Sequence, residues 1–506
     1  METVLEFSQL KLFTENETDL QNAARDLRAW GCCPRCTLRY LGEEKVEPYK
    51  HLEVLEKWLK SWLSEEKGAE NNCEVCVVCL GVLQTKYCDK SFLDDVIEIV
   101  KKENYEMSSF TPALSFTVIV MLREHSLWLA LKEKHRNVYF GKGPEEVFSI
   151  KEIWKELNGP YLAEQFGVPL EVKNIGKLEI KMNFQHASTN SECSFLLDVL
   201  PEVFRKRKTK NQRKGLELFS RINVAKAIND LSEAKFKRVY SCPPRKHSVP
   251  MACHPITCLH EATFIAGRYN KFSRELPQSP WLVDGKRKME TSVQELICDR
   301  LRDIVRAEDY KFSTSGREDI DVKCLGNGRP FLIEFVNPHK VTFEKLELKE
   351  LQEAINKSSD MIMVKHLQRV PSEETGSLKE GEEEKTKSYS ALCWSSTPVT
   401  QEYLDEKLLE IKDLVLQQKT PVRVLHRRSL AVREKVIHSS SAKIIDNHHF
   451  DFYLKTQAGT YIKEFVHGDF GRTVPSLGSV LDRECDILEL NVESVDLDWP
   501  PPVEYD

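Results

Sequence analysis

Along this chain apolar residues recur with two periods, and the periods sort it into helices and strands. Spacings of three and four mark helices over 51–67, 90–102, 225–232, 290–307 and 342–355. Alternation predicts a strand over 178–184, and a β-branched run, SFTVIVML, predicts another over 115–122. The short apolar run Phe331-Leu-Ile-Glu-Phe-Val336 reads as a buried strand. Further strands are expected over 389–394, 423–426 and 450–455. Helices and strands mix without regular alternation. That favours an α+β fold with a mixed sheet over a doubly wound one.

At 506 residues the chain is too long for one ordinary core. Ser241-Cys-Pro-Pro-Arg-Lys246 breaks regular structure and sets the main boundary. The division is then 1–100, rich in cysteine with a helical insertion; 101–245, a small α/β domain; and 246–506, the largest. A charged low-complexity stretch over 371–387 reads as a mobile loop. With 41% hydrophobic and 30% charged residues, the composition is that of a globular protein. No apolar run approaches the roughly 18 residues a membrane span needs. The acidic start carries no signal peptide or Arg-rich transit pattern. Fifteen cysteines, an odd count, suit reduced thiols in cytosol or nucleus.

Net charge is −6, so nucleic acid would have to be held by local basic patches. Three exist. The stretch 205–214 has seven Lys or Arg in ten residues. Lys235, Lys237, Arg238, Arg245 and Lys246 form a second patch, and Arg423, His426, Arg427, Arg428 and Arg433 a third. Such patches grip phosphates without reading sequence. The bland alternative is a solvated face or, for 205–214, a nuclear localisation signal.

Two CxxC pairs, Cys33/Cys36 and Cys76/Cys79, can close a four-thiolate zinc site that is structural, with no position left for water. Cys73-Glu-Val-Cys76 is itself a CxxC, so spacing alone leaves the second pair open. Cys253, His254, Cys258 and His260 form a weaker metal candidate beside a strand. Glu318, Asp319 and Asp321 crowd three acids into four residues. If they enter a strand, Asp319 and Asp321 share a face and Glu318 points away. A carboxylate kept ionised can act as a nucleophile. The alternatives are an acidic turn or a divalent-cation site. Leu325-Gly-Asn-Gly-Arg-Pro330 reads as a close approach of backbone to a ligand or as a hairpin turn. No glycine-rich nucleotide loop opens a helix, which leaves ATP-driven and dinucleotide chemistry, and a methyltransferase, without support.

Gly316-Arg317-Glu318-Asp319-Ile320-Asp321-Val322 resembles the catalytic motif of pseudouridine synthases. Three further segments resemble their archaeal and eukaryotic type-ten family, which modifies the TΨC arm of tRNA. They are 266–281 with Ala266-Gly-Arg-Tyr-Asn-Lys-Phe-Ser-Arg274, then 385–392, then 455–473 with Thr460-Tyr-Ile-Lys-Glu-Phe465 and His467-Gly-Asp-Phe-Gly-Arg-Thr473. The resemblance covers nearly the whole chain, most specifically from 262 onward. It implies a pseudouridine synthase catalytic domain preceded by a zinc-binding and THUMP-like domain. It implies Asp319 as nucleophile toward uridines 54 and 55 of tRNA. It implies Arg268, Tyr389, Tyr461, Ile462, Lys463 and Leu490 as substrate residues. Tyr461 would stack on the flipped base, Lys463 would pair with Asp319, and Leu490 would pack under the uracil. It assigns Cys33, Cys36, Cys76 and Cys79 to structural zinc and requires no organic cofactor. The expected partner is tRNA, the expected state a monomer, and the expected location nucleus and cytoplasm, with the mitochondrion a further option. The alternative is a non-catalytic RNA-binding protein on the same scaffold that handles small-RNA precursors.

Overall fold

The computed structural model describes residues 10–64, 75–171, 177–204, 218–378 and 385–504. It falls into two compact units, Met1–His260 and Glu261–Asp506. The basic run 205–214 and residues 379–384 of the charged loop lie outside the described residues.

The N-terminal unit is mainly helical around one small sheet. Helix Glu17–Trp30 is capped by Asn16, whose side chain accepts from the Asp19 amide, and ends at Gly31 in the left-handed region. Pro34–Leu41, Leu52–Trp62 and Lys90–Glu103 follow, and the last two match the helical spacing. Strand β1 (Phe110–Phe116) pairs in parallel with β2 (Leu178–Gln185), which pairs antiparallel with β3 (Ala252–His260). One hydrophobic core runs through the unit, from Leu20 to Met251. Because β3 completes this sheet, the unit extends to His260 and does not end at the Ser241–Lys246 break.

The strand expected over 115–122 is corrected. β1 stops at Phe116, and Ile119–Lys134 is a helix. Its residues Ile119, Leu122, Leu127, Trp128 and Leu131 are all buried. A helix buried on most sides shows no polar face, so β-branched residues at its start mimic a strand.

The C-terminal unit is a mixed, mainly antiparallel sheet flanked by helices. Its strands are β4 (Thr263–Lys271), a small hairpin of β5 (Leu282–Val283) and β6 (Lys286–Arg287), β7 (Asp309–Thr314), β8 (Val322–Val336) and β9 (Ile362–Val370). Then come β10 (Lys387–Ser395), β11 (Leu414–Lys419), β12 (Val432–Ile444), β13 (His449–Thr456), β14 (Thr473–Val474) and β15 (Cys485–Val495). The main sheet runs β14-β11-β12-β13-β10-β15-β8-β4-β9, with β7 also on β8. Among the described residues, only its β15–β8 pairing is parallel. Successive residues of β8 feed opposite cores. Phe331 and Ile333 face helices Val293–Val305 and Lys345–Ser358, while Leu332 joins the cluster of Phe450, Phe452 and Phe465. Burial on both faces explains the unbroken apolar run.

Two expected elements differ. Leu325–Pro330 is no hairpin turn but lies within β8, where the strand leaves β15 and joins β4. Gly326 has φ +55°, and a Cβ there would lie 1.9 Å from the Glu493 carbonyl. The glycine thus serves a close approach to the chain's own strand β15, where a ligand was expected. Residues 423–426 are not a strand either. Val422–Val424 is a 3-10 turn after Pro421, whose fixed φ favours a turn. Among the described residues no helix is long and apolar enough to cross a membrane.

Candidate active site

The three crowded acids divide between interior and cleft. The chain turns at Gly316 (φ +87°), where a Cβ would crowd Lys387 Nζ and Arg329 Nη1. Glu318 then points inward, with its side chain fully buried. Arg329 Nε lies 2.7 Å from its carboxylate, and the Tyr269 hydroxyl donates to it at 2.8 Å. Burial works against the Arg329 charge, but Glu318 together with Cys324 and Tyr269 prevails and pushes the guanidinium pKa up. Asp319 lines the cleft, and Asp321, in the turn that precedes β8, pairs with Lys463.

Asp319 sits between two cations. Arg423 Nη1 lies 2.8 Å from Oδ2 and 3.0 Å from Oδ1. Lys463 Nζ is 3.6 Å from Asp319 and 2.7 Å from Asp321. Lys463 is therefore first the partner of Asp321. Partial burial disfavours the Asp321 carboxylate, but the Lys463 ammonium prevails and holds its carboxyl below the usual range. Arg423 is itself held by buried Glu464, whose Oε1 lies 2.6 Å from Nε. Its guanidinium carbon stands 6.0 Å from the Tyr461 ring centroid, at the edge of cation–π range.

The backbone of this loop is also fixed. Buried Lys271, at the end of β4, donates to the carbonyls of Ile320 at 2.7 Å, Leu276 at 3.0 Å and Asp319 at 3.3 Å. Burial pushes its pKa down to about 8. Arg274 donates to the carbonyls of Asp321 and Leu490, which ties the loop to β15.

A cleft of about 890 Å³ opens over these groups. Asp319, Tyr389, Tyr461, Ile462, Lys463 and Leu490 all line it. Its apolar surface includes Val322, Leu490 and Val492, brought together by the β8–β15 register that pairs Leu490 with Val322. Burial pushes the Tyr389 hydroxyl up to about 12, so it stays protonated at neutral pH. Arg427, Arg428, Arg433 and Lys435 line the cleft as well. The cleft thus combines a carboxylate under cationic control, aromatic and apolar surface for a base, and charge for phosphates.

Arg268 is placed elsewhere. It does not line the cleft; its guanidinium is buried and donates to the carbonyls of Asn327, Gly328, Val495, Leu497 and Trp499. It braces the sheet behind the site. Arg423, Glu464 and Lys271 form much of the site's scaffold, yet the sequence reading gave them no role there. Arg423 stood in a basic patch and an expected strand, and Glu464 and Lys271 only inside motifs.

In the N-terminal unit Cys33, Cys36, Cys76 and Cys79 are buried, with sulfurs all within 4.8 Å of one another. Cys33 caps helix Pro34–Leu41, and its Sγ lies 3.9 Å from that of Cys79. Tetrahedral zinc with Zn–S near 2.3 Å would set sulfurs about 3.8 Å apart. The donor set therefore fits zinc and leaves no open position. Cys73 lies outside the described residues. Cys253, His254, Cys258 and His260 lie along β3 and form no such cluster among the described residues.

Two family descriptions match the chain, "Pus10, C-terminal" over residues 264–496 and "Eukaryotic Pus10, N-terminal" over 76–258. A protein of Mus musculus named tRNA pseudouridine synthase Pus10 is 43% identical over 541 residues, covering 98% of this chain and 100% of its own length. The Homo sapiens protein of that name is 43% identical, covering 96% and 98%. One from Thermofilum pendens is 36% identical over 303 residues, covering 58% of this chain and 67% of its own.

Proposed function

The chain belongs to the Pus10 family of tRNA pseudouridine synthases, and from that premise we propose that Asp319 is the nucleophile of a uridine-to-pseudouridine isomerisation in the TΨC loop of tRNA, at positions 54 and 55. The observation that carries this reading is the placement of Asp319. It is a part-exposed carboxylate held by Arg423 and approached by Lys463, at a cleft lined by Leu490 and Val322.

In this reading the target uridine leaves its stack and enters the cleft. Tyr461 offers an aromatic face to the base, and Leu490, Val322 and Val492 pack beneath it. Asp319 attacks while the N1–C1′ glycosidic bond breaks. The freed uracil rotates, C5 bonds to C1′ as the carboxylate is released from it, and the C5 proton is lost while N1, freed from the sugar, takes one up. Nothing is oxidised or reduced, and the isomerisation needs no energy source. Arg423 and Lys463 hold the carboxylate in position and aim it. Arg427, Arg428, Arg433 and Lys435 supply positive charge for tRNA phosphates. The cysteine cluster holds zinc as a structural staple of the N-terminal unit.

The test is incubation with an unmodified tRNA transcript followed by pseudouridine mapping. Wild type should modify the TΨC loop and Asp319→Ala should not. An unmodified loop with wild type, or equal activity in the variant, would refute the assignment.

A further inference from the structure

The loop Gly468–Gly471, which follows the helix Ile462–His467, carries an exposed aromatic ring, Phe470. Asp469 (φ 46°, ψ 51°) and Phe470 (φ 55°, ψ 37°) are consecutive left-handed residues, flanked by Gly468 and Gly471 with φ of 77° and 80°. Side chains other than glycine's rarely adopt this conformation, and it persists only where surroundings impose it. For Asp469 the reason is visible. Its buried carboxylate accepts from the Val422 amide at 3.2 Å and lies 3.6 Å from Arg472, and its amide donates to His467 Nδ1. For Phe470 there is no such reason, because its side chain is 96% exposed.

This loop is bonded to the segment that controls Asp319. Asp469 anchors Val422, and the next residue, Arg423, grips Asp319. Arg472 donates to the Thr420 carbonyl at 2.7 Å, and the Lys419 amide donates to Arg472. The helix between Tyr461 and the loop is six residues long, a rise of roughly 9 Å. The loop thus begins one short helix beyond Ile462 and Lys463, which line the cleft. Beside it, Val422 and Val474 are about half exposed. Arg427 and Arg428 are exposed and make no ion pair among the described residues. One acid, Asp486, lines the hollow next to the ring. A bare aromatic on a strained turn, bonded to the segment that carries exposed Arg427 and Arg428, has the makings of a base-stacking contact with RNA.

We propose that Phe470 is a wedge that enters the base stack of the RNA substrate beside the extruded uridine and holds the gap open. The proposal rests on the functional reading above. An enzyme that extrudes a base must disrupt stacking on its neighbours, and an inserted aromatic replaces the lost contact.

Two transcripts and two variants test it. One tRNA transcript is intact; the other carries an abasic nucleotide next to the target, which removes the stack to be opened. Phe470→Ala should slow single-turnover conversion of the intact transcript roughly tenfold, in line with the loss of one base–aromatic stack. The abasic transcript should bring variant and wild type within about threefold of each other. Phe470→Trp should keep its rate, and its added fluorescence over wild type should be quenched by tRNA. Equal rates for Phe470→Ala and wild type on the intact transcript would overturn the wedge. So would equal slowing on both transcripts, which marks a merely structural role, or a fluorescence indifferent to RNA. If wild type forms no pseudouridine, the functional reading fails. Fluorescence then decides alone: quenching supports the wedge and its absence overturns it.

Discussion

Arg423 and Asp319 are separated by 104 positions in the chain, yet a guanidinium nitrogen of one lies 2.8 Å from a carboxylate oxygen of the other. The contact is not left to chance. Glu464 grips the same guanidinium from the buried side, and partial burial, which alone would lower the Arg423 pKa, is outweighed by Glu464 and Asp319 together. Arg423 is therefore a charged hinge between a buried acid and the proposed nucleophile.

Removal of this hinge should damage aim more than fold. Arg423→Met is expected to lower the single-turnover rate by about 10², the effect of a misplacement on the order of 1 Å. Binding of tRNA should weaken far less, since Arg427 and Arg428 remain. Glu464→Gln should have a smaller effect of the same kind. A rate for Arg423→Met within twofold of wild type would show that Lys463 alone suffices.

The Glu318–Arg329 pair predicts stability instead. Both side chains are essentially shut off from solvent. Breaking such a pair strands a buried charge, which costs about 3–5 kcal/mol. Arg329→Met should lower the urea midpoint of the unit Glu261–Asp506 accordingly. Glu318→Gln should lower the midpoint as well, because it strands the Arg329 charge even though the Tyr269 hydroxyl and Gln278 can still bond an amide. Urea unfolding followed by circular dichroism measures both. An unchanged midpoint for Arg329→Met would mean that water reaches the pair.

These contacts show what the sequence could and could not reveal. Amphipathic periodicity located the helices Lys90–Glu103 and Val293–Val305, and alternation located β2, because each buries one face or stripe. It misread Ile119–Lys134, which buries several faces. Within the site, short motifs placed Asp319, Tyr461, Lys463 and Leu490 at one cleft. Residues that act through others were hidden. Arg423 meets Asp319 only through tertiary folding, and no spacing rule links them. Arg268 looked like a substrate residue from its motif, but its donors serve five backbone carbonyls. Spacing could not choose between Cys73 and Cys79 either, whereas the fold gathers Cys79 with the other three sulfurs.

Lys271 gives a pH prediction with a definite sign. Burial holds its folded pKa at about 8, below the 10.5 of an ordinary lysine; Glu318, Cys324 and Asp321 oppose the shift and Arg274 adds to it. The unfolded chain therefore binds the extra proton between pH 8 and the ordinary lysine range. Stability should rise with pH across that window, and the penalty of burying the charge, on the order of 3 kcal/mol, applies in full below it. Activity should move the other way. Deprotonation removes one donor from the ammonium that holds the Asp319, Ile320 and Leu276 carbonyls, so the rate should fall above pH 8. Lys271→Met should be slower throughout and lose both the alkaline limb and the stability slope. A wild-type profile flat from pH 7 to 9.5 on a substrate that binds equally well would contradict this.

Metal removal tests the cysteine cluster. The four sulfurs lie inside the core of the N-terminal unit, which also holds Cys32, Val77 and Leu80. Without a cation, four buried thiolates would repel one another, and four thiols would leave the space of an ion unfilled. Zinc should therefore couple directly to folding of Met1–His260. Chelation under denaturing conditions, or Cys76→Ser, should abolish bound zinc and lower the melting temperature of this unit, with the unit Glu261–Asp506 melting as before. Cys32→Ala should keep zinc at one ion per chain, because its sulfur is not among the four. Atomic absorption on each variant gives the stoichiometry and calorimetry the melting. Loss of zinc in Cys73→Ser with retention in Cys79→Ser would reassign the fourth ligand to Cys73.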